Sequence, residues 1–140
     1  MNSNRFAVAV HIMSLLELNK GTRITSEYIA GSVNTNSVVI RRIIGMLNKA
    51  GLVHTSAGVA GAVLARPVEQ ITLLDIYRAV QSEGQEDLFA IHEKPNPECS
   101  VGRNIQASLE SVFNEAQQAM ENKLAAITLD RVTTDLANRP

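Results

Sequence analysis

Several features that would assign this chain to a special class are absent from it. The sequence contains one cysteine, Cys99, which excludes a disulfide bond within the chain. Aromatic residues make up only 4% of it, so leucine, isoleucine, valine and alanine must fill the core that a hydrophobic content of 45% can build. No apolar run approaches the ~18 residues of a membrane span, and no signal peptide opens the chain. These absences predict a cytoplasmic protein without a membrane partner.

The formal net charge of −1 conceals an uneven distribution of charged residues. Residues 1–67 contain seven lysines and arginines against two acidic residues, whereas residues 68–140 contain six against twelve. A basic half joined to an acidic half indicates that a polyanion binds one side of the protein. Solvated surface charge without a partner gives the same pattern by chance, so both interpretations are open at this point.

The 140 residues are enough for one ordinary domain, or for a small domain with an appendage, and their apolar spacing predicts mainly helices. Glycine stops and polar caps bound these helices, and the candidate caps are Thr25 or Ser26 for the second helix and Thr35 or Asn36 for the third. The predicted helices cover residues 5–18, 25–32, 37–50, 72–83, 101–126 and 128–138. Residues 84–98 give mixed signals and predict a loop or a short helical turn.

A β-hairpin is predicted between the third and fourth helices. Residues 52–56 alternate as a strand, residues 57–62 form a glycine-rich tip, and residues 63–65 form a second strand. Helix, helix, polar turn, helix and hairpin is the order of a winged helix-turn-helix. The predicted fold class is therefore mainly α (α+β), with a winged helix-turn-helix DNA-binding domain and a long C-terminal dimerisation helix. The corresponding boundaries are 1–83 for the DNA-binding domain, 84–100 for a sensor loop region, and 101–140 for the dimerisation and C-terminal helices.

The third helix, within SVVIRRIIGMLNKAGLV, has two different faces at helical spacing. The face that is entirely aliphatic predicts a core contact and consists of Ile40, Ile43, Ile44 and Leu47. The opposite face consists of Val38, Arg41, Gly45 and Asn48, with Arg42 and Lys49 at its edge. An arginine fork matches guanine O6 and N7, or a phosphate, with two hydrogen bonds, so this face predicts contact with a major groove. A solvated helix face with two ordinary charges is the alternative.

Two flanking segments extend the predicted DNA surface. Thr35–Ser37 lies at the start of the third helix, where free backbone N–H groups favour phosphate. In the hairpin, His54–Ser56 can donate to phosphate and the glycine-rich tip allows a close approach to the DNA backbone, although an ordinary surface hairpin would look the same. The predicted DNA-contacting residues are Ser26, Thr35, Asn36, Ser37, Val38, Arg41, Arg42, His54, Thr55, Ser56 and Gly58.

Four runs of the sequence resemble a known family. The runs NTNSVVIRRIIGMLNKAGLV, SAGVAGAVLARP and ITLLDIYRAVQ, in this order, resemble the Rrf2 family of bacterial transcription factors, which includes IscR, NsrR and CymR. The run FAIHEKPNPECSVGRNIQ is similar to the YwnA-like branch of that family. The resemblance covers nearly the whole chain. It implies a dimeric winged-helix repressor that binds a palindromic operator on double-stranded DNA.

The resemblance also implies roles for particular residues. The base-reading position corresponds to Arg41, with Arg42 beside it, and the minor-groove wing of the family corresponds to Thr55–Gly61. Many relatives carry an arginine at the wing, and this chain has none there, which removes one expected minor-groove contact. Ser37 stands where relatives of the YwnA-like branch have proline at the start of the recognition helix.

The single cysteine bears on whether the chain holds a cofactor, because some members of the family bind an iron–sulphur cluster through three closely spaced cysteines. A cluster needs about four ligands, so we predict no cluster and no other cofactor, with a weak metal site at His92 and Cys99 as the alternative. Cys99 lies near the start of the long helix, where the helix dipole lowers a thiol pKa and favours thiolate. This position predicts a redox sensor, and a buried cysteine that acts as a small hydrophobe is the alternative.

The long helix carries an apolar seam with steps of three and four residues, which suits a partner helix. The seam residues that predict a dimer interface are Ile105, Leu109, Val112, Phe113, Ala116 and Met120. Acidic residues flank the seam, so this face does not suit DNA. Packing against the first helix of the same chain is the alternative.

Arrangements typical of an enzyme are missing from the sequence: paired carboxylates, a phosphate-cradling glycine loop, or a Ser/His/Asp set in a supporting context. The sequence therefore predicts a homodimeric DNA-binding regulator, acting as a repressor, that is not an enzyme. Two alternatives come from other classes. One is a winged-helix protein-interaction adaptor that has lost DNA binding, and the other is a thiol peroxidase-like scavenger that uses Cys99.

Overall fold

The computed structural model describes residues 4–81, 89 and 94–140 of the chain. Its contacts divide the chain into two compact units. The first contains the residues up to Gln81 together with Ala125–Pro140, and the second contains Ser82–Leu124. The C-terminal helix therefore belongs to the same unit as the N-terminal helices. The boundaries at residues 83 and 100 that we derived from the sequence stay a prediction.

The described residues form helices and one two-stranded antiparallel sheet. In chain order the elements are α1 (Arg5–Leu18), α2 (Ser26–Val33), α3 (Ser37–Lys49), β1 (Val53–Ser56), β2 (Val59–Leu64), a 3-10 turn (Val68–Gln70), α4 (Leu73–Ala79), α5 (Ser100–Ala125) and α6 (Leu129–Ala137). This order confirms the predicted fold class, a mainly α winged helix-turn-helix followed by a long helix. The β1–β2 hairpin is the wing of this fold, and α3 is the second helix of its helix-turn-helix.

Polar side chains fix where α2 and α3 begin. Thr25 caps α2, and its hydroxyl oxygen accepts a hydrogen bond of 3.0 Å from the backbone N–H of Tyr28. Asn36 caps α3 in the same way, with its Oδ1 3.0 Å from the backbone nitrogen of Val39. Between the two predicted candidates at each helix start, the structure therefore selects Thr25 and Asn36. Gly51 follows the end of α3 with a φ of +78°, a left-handed conformation that favours glycine, and so ends the helix as predicted.

The aliphatic face of α3 lies in the hydrophobic core of the first unit. Ile40 and Leu47 have no solvent exposure, and Ile43 and Ile44 are also buried. The same hydrophobic cluster contains buried side chains from the other elements of the unit, among them Ile12, Met13, Ile29, Leu52, Val53, Ile71, Ile76 and Leu129. Burial of so many aliphatic groups against one another is the main force that holds α3 in place. The core contact that the helical spacing predicts is therefore present.

The predicted glycine-rich tip at residues 57–62 is wrong, because most of it is strand. Strand β2 begins at Val59, so the turn of the hairpin is limited to Ala57 and Gly58. The pairing shifts between Thr55 and Ser56, where β2 accommodates Gly61 with a φ of +88°. Low strand propensity of glycine suggested a loop, but the ladder continues across the irregularity as it does in β-bulges.

Helix α4 is shorter than its predicted range of 72–83. It ends at Ala79, and the carbonyl oxygen of Val80 accepts a hydrogen bond of 2.9 Å from Nη1 of Arg5 on α1. That carbonyl is therefore bound outside the helix. Residues 82 and 83 of the predicted helix lie outside the described residues.

The C-terminal segment pairs with the chain just before α4. The backbone N–H of Leu129 donates to the carbonyl oxygen of Ile71 at 2.7 Å, and that of Leu73 donates to Ile127 at 2.9 Å. Thr72 and Thr128 lie opposite each other in this short antiparallel bridge. These bonds, together with the fully buried Leu129, attach α6 to the first unit.

Removal of the cap of α4 should lower the stability of the first unit. The Thr72 hydroxyl accepts from the backbone N–H of Asp75 at 3.0 Å, and the Asp75 carboxylate accepts from that of Thr72 at 2.9 Å, which forms a capping box. Thr72→Ala deletes one of these bonds and should reduce the free energy of unfolding by about 1 kcal/mol. Urea denaturation measures the change. Thr72→Ser keeps the hydroxyl and is the control, and equal stability of the serine and alanine variants would contradict the prediction.

In the second unit, α5 spans 26 residues, none of which is buried. The ring of Phe113 on this helix stacks on that of Phe89, with centroids 5.0 Å apart and an interplanar angle of 29°. Of the predicted loop at residues 84–98, only Phe89 and residues 94–98 are among those described. Over the described part of the chain, no helix combines the length and the hydropathy that a membrane crossing requires.

Candidate nucleic-acid interface

The outward face of α3 is exposed along its whole length. Its exposed residues are Val38, Arg41, Arg42, Gly45, Asn48 and Lys49. Three of these side chains are cationic and none is acidic, so the face combines positive charge with hydrogen-bond donors. Val38 exposes 59% of its surface, which places an apolar group at the first turn of the helix. A thymine methyl is the part of a base edge that such a group can contact.

Arg41 faces a carboxylate that lies on the neighbouring helix. Its Nη1 is 3.5 Å from Oε1 of Glu27 in the first turn of α2, and the two side chains expose 55% and 71% of their surfaces. An ion pair this exposed is worth about 0–1 kcal/mol, so the pair orients the guanidinium without locking it. The sequence reasoning missed Glu27. No local signal could have found it, because the two residues are 14 positions apart and only the packing of α2 on α3 brings them together.

A shallow groove of about 430 Å³ joins the start of α2, the middle of α3 and the wing. It brings together three of the predicted DNA-contacting residues, Ser26, Arg41 and Thr55. The other residues that line the groove are Thr25, Glu27, Ile44, Gly45, Val59, Ala60 and Gly61. A side chain added at Gly45 would meet no atom within 4 Å, so the helix surface at this point is open to an approaching ligand.

The start of α3 is capped by the side chain of Asn36. The Asn36 oxygen accepts from Val39, so this side chain holds the helix start and keeps only its amide hydrogens for another partner. Thr35 and Ser37, on either side of it, are half-buried. Free N–H groups at a helix start are where phosphate binds most readily in proteins.

The predicted residues of the wing are all exposed. His54, Thr55 and Ser56 follow the buried Val53 along β1, and Gly58 lies in the turn with a φ of +74°. Of these, Thr55 lines the groove, whereas the other three are not among its lining residues. The wing therefore offers one predicted contact beside Arg41 and three that lie elsewhere on the hairpin.

Cys99 immediately precedes α5 and is exposed, unlike the buried cysteine of the alternative interpretation. Hydrogen bonds from the backbone N–H groups of Gly102, and then of Val101, lower the pKa of its thiol below the ordinary value. The direction is the one expected for a thiol at a helix start. The carbonyl oxygen of Asn96 lies against the same turn, so closely that a Cβ at Gly102 would collide with it.

The predicted seam of α5 lies on one side of the helix and remains open to solvent. Val112 exposes 56% of its surface. The other seam residues are partly exposed and none is buried: Ile105, Leu109, Phe113, Ala116 and Met120. The described residues of this unit thus include an apolar stripe that they do not themselves cover.

The geometry of the first unit defines a class of protein. A capped helix-turn-helix whose second helix presents exposed arginines beside a β-hairpin is the DNA-binding unit of winged-helix transcriptional regulators. The chain belongs to one family of these: residues 2–135 match the Rrf2 family, described as iron-dependent transcriptional regulators. The predicted resemblance is confirmed.

Three comparisons illustrate the relationship. The chain is 50% identical over 136 residues to YwnA of Bacillus subtilis strain 168, assigned as an HTH-type transcriptional regulator, with 97% of this chain and 99% of YwnA covered. A crystal structure of a protein assigned as DNA-binding is 45% identical and has a TM-score of 0.74, covering 91% of this chain and 97% of that one. T. potens IscR shares the fold at 22% identity, with a TM-score of 0.72 and coverage of 100% and 92%.

An iron–sulphur cluster, one form that the iron of the family description could take, does not fit the single cysteine of this chain. An iron–sulphur cluster is held by about four ligands, mainly cysteine thiolates, and Cys99 is the one cysteine of the sequence. Among residues 4–81, 89 and 94–140, no group of three or more His, Cys, Asp or Glu side chains could hold a metal ion. The alternative metal site with His92 falls outside the described residues. No step of the function proposed below therefore involves iron.

Proposed function

We propose that this protein is a homodimeric transcriptional repressor that inserts α3 into the major groove of a palindromic operator. The observation that carries the proposal is the division of α3 into a buried aliphatic face and an exposed face with Arg41 at its centre. A helix that must stay in the core by one face can reach DNA only with the other. The wing and the start of α2 flank that face, so all three elements meet one duplex.

The two arginines of α3 take different roles in this proposal. Arg41 lines the groove between α2, α3 and the wing, and its planar fork fits guanine O6 and N7. Arg42 is the next residue along the helix and is not among the residues that line the groove. In this proposal its guanidinium binds a backbone phosphate. Base contacts specify sequence, whereas phosphate contacts position the protein and supply salt-dependent affinity.

A titration against DNA tests the proposal. Fluorescence anisotropy with a duplex from the protein's own promoter region and a scrambled duplex, repeated at several salt concentrations, separates specific from non-specific binding. Preference for one sequence and a steep loss of affinity with salt support the proposal. No salt-dependent binding to any duplex would instead favour the protein-interaction adaptor.

Dimerisation through α5 completes the operator geometry. The apolar seam from Ile105 to Met120 is long enough for antiparallel or crossed packing with a second copy, and no residue of the helix is buried within one chain. Two-fold symmetry would place two recognition helices about one DNA turn, ~34 Å, apart, which is the spacing that a palindrome requires.

Removal of Glu27 should change affinity and selectivity in opposite directions. The Glu27 carboxylate lies beside Arg41 on a surface that meets phosphates, so Glu27→Gln should tighten binding to all DNA by about 1.5- to 5-fold, from the ~0.2–1 kcal/mol of an exposed pair. The same change frees Arg41 and should reduce the preference for operator over scrambled DNA. Glu69→Gln removes an exposed carboxylate elsewhere in the unit and is the matched control. Equal effects of both variants would rule out a specific role for Glu27.

Cys99 is proposed as the sensor that releases the repressor. Its thiolate attacks one oxygen of a hydroperoxide, the O–O bond breaks, and the sulphur is oxidised to sulfenic acid while the other oxygen leaves as hydroxide or alkoxide. Because the chain has no second cysteine, a stable disulfide requires a small thiol or the Cys99 of a second copy. If oxidant releases Cys99→Ser from DNA as readily as wild type, the cysteine is structural.

The titration of Cys99 should follow the lowered pKa. Thiolate reacts with iodoacetamide and thiol does not, so the alkylation rate across a pH series should reach half its maximum at a lower pH than an unstructured peptide containing cysteine. Below that pH the thiol is protonated and the rate is lost. In Gly102→Ala the added Cβ displaces the Asn96 carbonyl and disturbs the turn whose N–H groups donate to the thiolate. The pH midpoint of alkylation should therefore be higher in this variant than in the wild type. A wild-type midpoint equal to that of the peptide contradicts the assignment.

A further inference from the structure

The wing of this protein has no cation of its own. Residues 52–65, which contain β1, β2 and their turn, include neither lysine nor arginine. The next basic residue, Arg66, donates to the carbonyl oxygen of Gln70 at 3.3 Å and lies 3.8 Å from Asp75, so it faces the start of α4. A hairpin that is to approach a polyanion therefore needs positive charge from another segment.

Arg23, in the segment between α1 and α2, brings a guanidinium to the wing. Its Nη1 donates to the carbonyl oxygen of Gly61 at 3.1 Å, although the two residues are 38 positions apart. The side chain of Arg23 is exposed apart from this bond to Gly61. A guanidinium has five N–H donors, so most of the fork remains for another acceptor.

Backbone contacts hold Arg23 and the wing together. Ile24 forms an antiparallel bridge with Ala62 of β2. Gly61 adopts a φ of +88°, and a Cβ at this position would lie 2.6 Å from the carbonyl oxygen of Ile24 and 3.3 Å from Cβ of Arg23. Only glycine permits this approach. The backbone beside Arg23 is therefore held against β2, and the bond to Gly61 keeps the guanidinium next to the hairpin.

We propose that Arg23 is the phosphate-binding residue of the wing. Thr25, two residues after Arg23, and Gly61, its hydrogen-bond partner, line the groove that contains Arg41. A phosphate of a duplex seated on α3 would meet the Arg23 fork at the edge of this groove, where a bidentate pair is the strongest neutral-pH contact to phosphate. The proposal rests on the function proposed above. It assigns the missing wing charge to a residue outside the wing.

Salt-dependent DNA binding by three variants tests the assignment. Each phosphate contact contributes about 0.9 to the slope of log affinity against log salt, so Arg23→Ala should lower that slope by about 0.9 per protomer and weaken binding about eightfold per contact at ~0.1 M salt. The loss should be the same for operator and scrambled DNA. Arg23→Lys should retain the slope of the wild type, whereas Arg23→Gln, which keeps an N–H donor for Gly61 without the charge, should lower the slope as much as Arg23→Ala does. Arg139→Ala, just after the end of α6, is the matched control for removing one exposed arginine.

The outcomes separate this proposal from the one on which it rests. If wild type binds DNA with a steep salt slope and Arg23→Ala leaves that slope unchanged, the assignment of Arg23 is overturned and the DNA-binding function stands. If the glutamine variant retains full affinity and slope, the side chain acts only by anchoring the wing, which also overturns it. If wild type shows no salt-dependent binding to any duplex, the function itself fails.

Discussion

Replacement of Arg41 by alanine should weaken binding to the operator by about 1–3 kcal/mol for each half-site, roughly 5- to 150-fold, because a bidentate arginine–guanine pair discriminates by that amount. Arg41 is the cation at the centre of the exposed face of α3, and it lines the groove between that helix, α2 and the wing. The loss should be confined to one base position in each half-site. Affinity for a panel of operators with single substitutions measures it.

Arg42→Ala is the matched control for Arg41→Ala, since it removes the same group one position along the same helix. It should weaken binding to all sequences alike and lower the salt slope by about 0.9 per protomer, as expected for a phosphate contact. Equal loss of sequence preference in both variants would contradict the division of roles between the two arginines. Both side chains are exposed, so neither change should affect folding of the unit.

Introduction of a carboxylate into the seam of α5 should convert the proposed dimer into monomers. Leu109→Glu places a charge in the centre of the apolar stripe, where a partner helix would have to bury it unpaired. Loss of the second half-site contact should reduce operator affinity by about 10²–10⁴-fold, the usual gain from linking two binding events. Light scattering after size exclusion gives the mass, and anisotropy gives the affinity.

Ala107→Glu controls for the added charge, because residue 107 is exposed and lies on the opposite side of the same helix. It should leave both the mass and the affinity unchanged. A dimer that survives Leu109→Glu would show that the seam is not the interface. A monomer that binds the operator as tightly as wild type would show that dimerisation is not needed for DNA binding.

Periodicity and capping predicted much of the first unit correctly. Three-to-four spacing separated the core face of α3 from its outward face, because a helix repeats its direction regularly whatever surrounds it. Short polar residues before α2 and α3 indicated where each helix begins, since a cap acts over three residues of the same segment. These features are local, and local spacing is what a sequence displays directly.

Two long-range contacts of the candidate interface were not predictable in this way. The ion pair between Glu27 and Arg41 joins α2 to α3, and the hydrogen bond from Arg23 to Gly61 joins residues 38 positions apart. Both contacts depend on how separate elements pack, and no period in the sequence encodes that packing. The start of β2 was misplaced for a related reason, because cross-strand pairing and the bridge to Ile24 hold glycine-rich residues in a strand.

The return of the chain to the first unit after α5 makes the second unit an insertion with two attachments. The chain leaves the winged unit at Gln81 and re-enters it at Ala125, and the bridge between Thr72 and Thr128 then seats Leu129 in the core. The segment that begins at Thr128 therefore forms part of the folded first unit. A stop codon or a proteolytic cut before Thr128 would remove part of the hydrophobic core of the winged unit, so shortened versions of the protein need that segment intact.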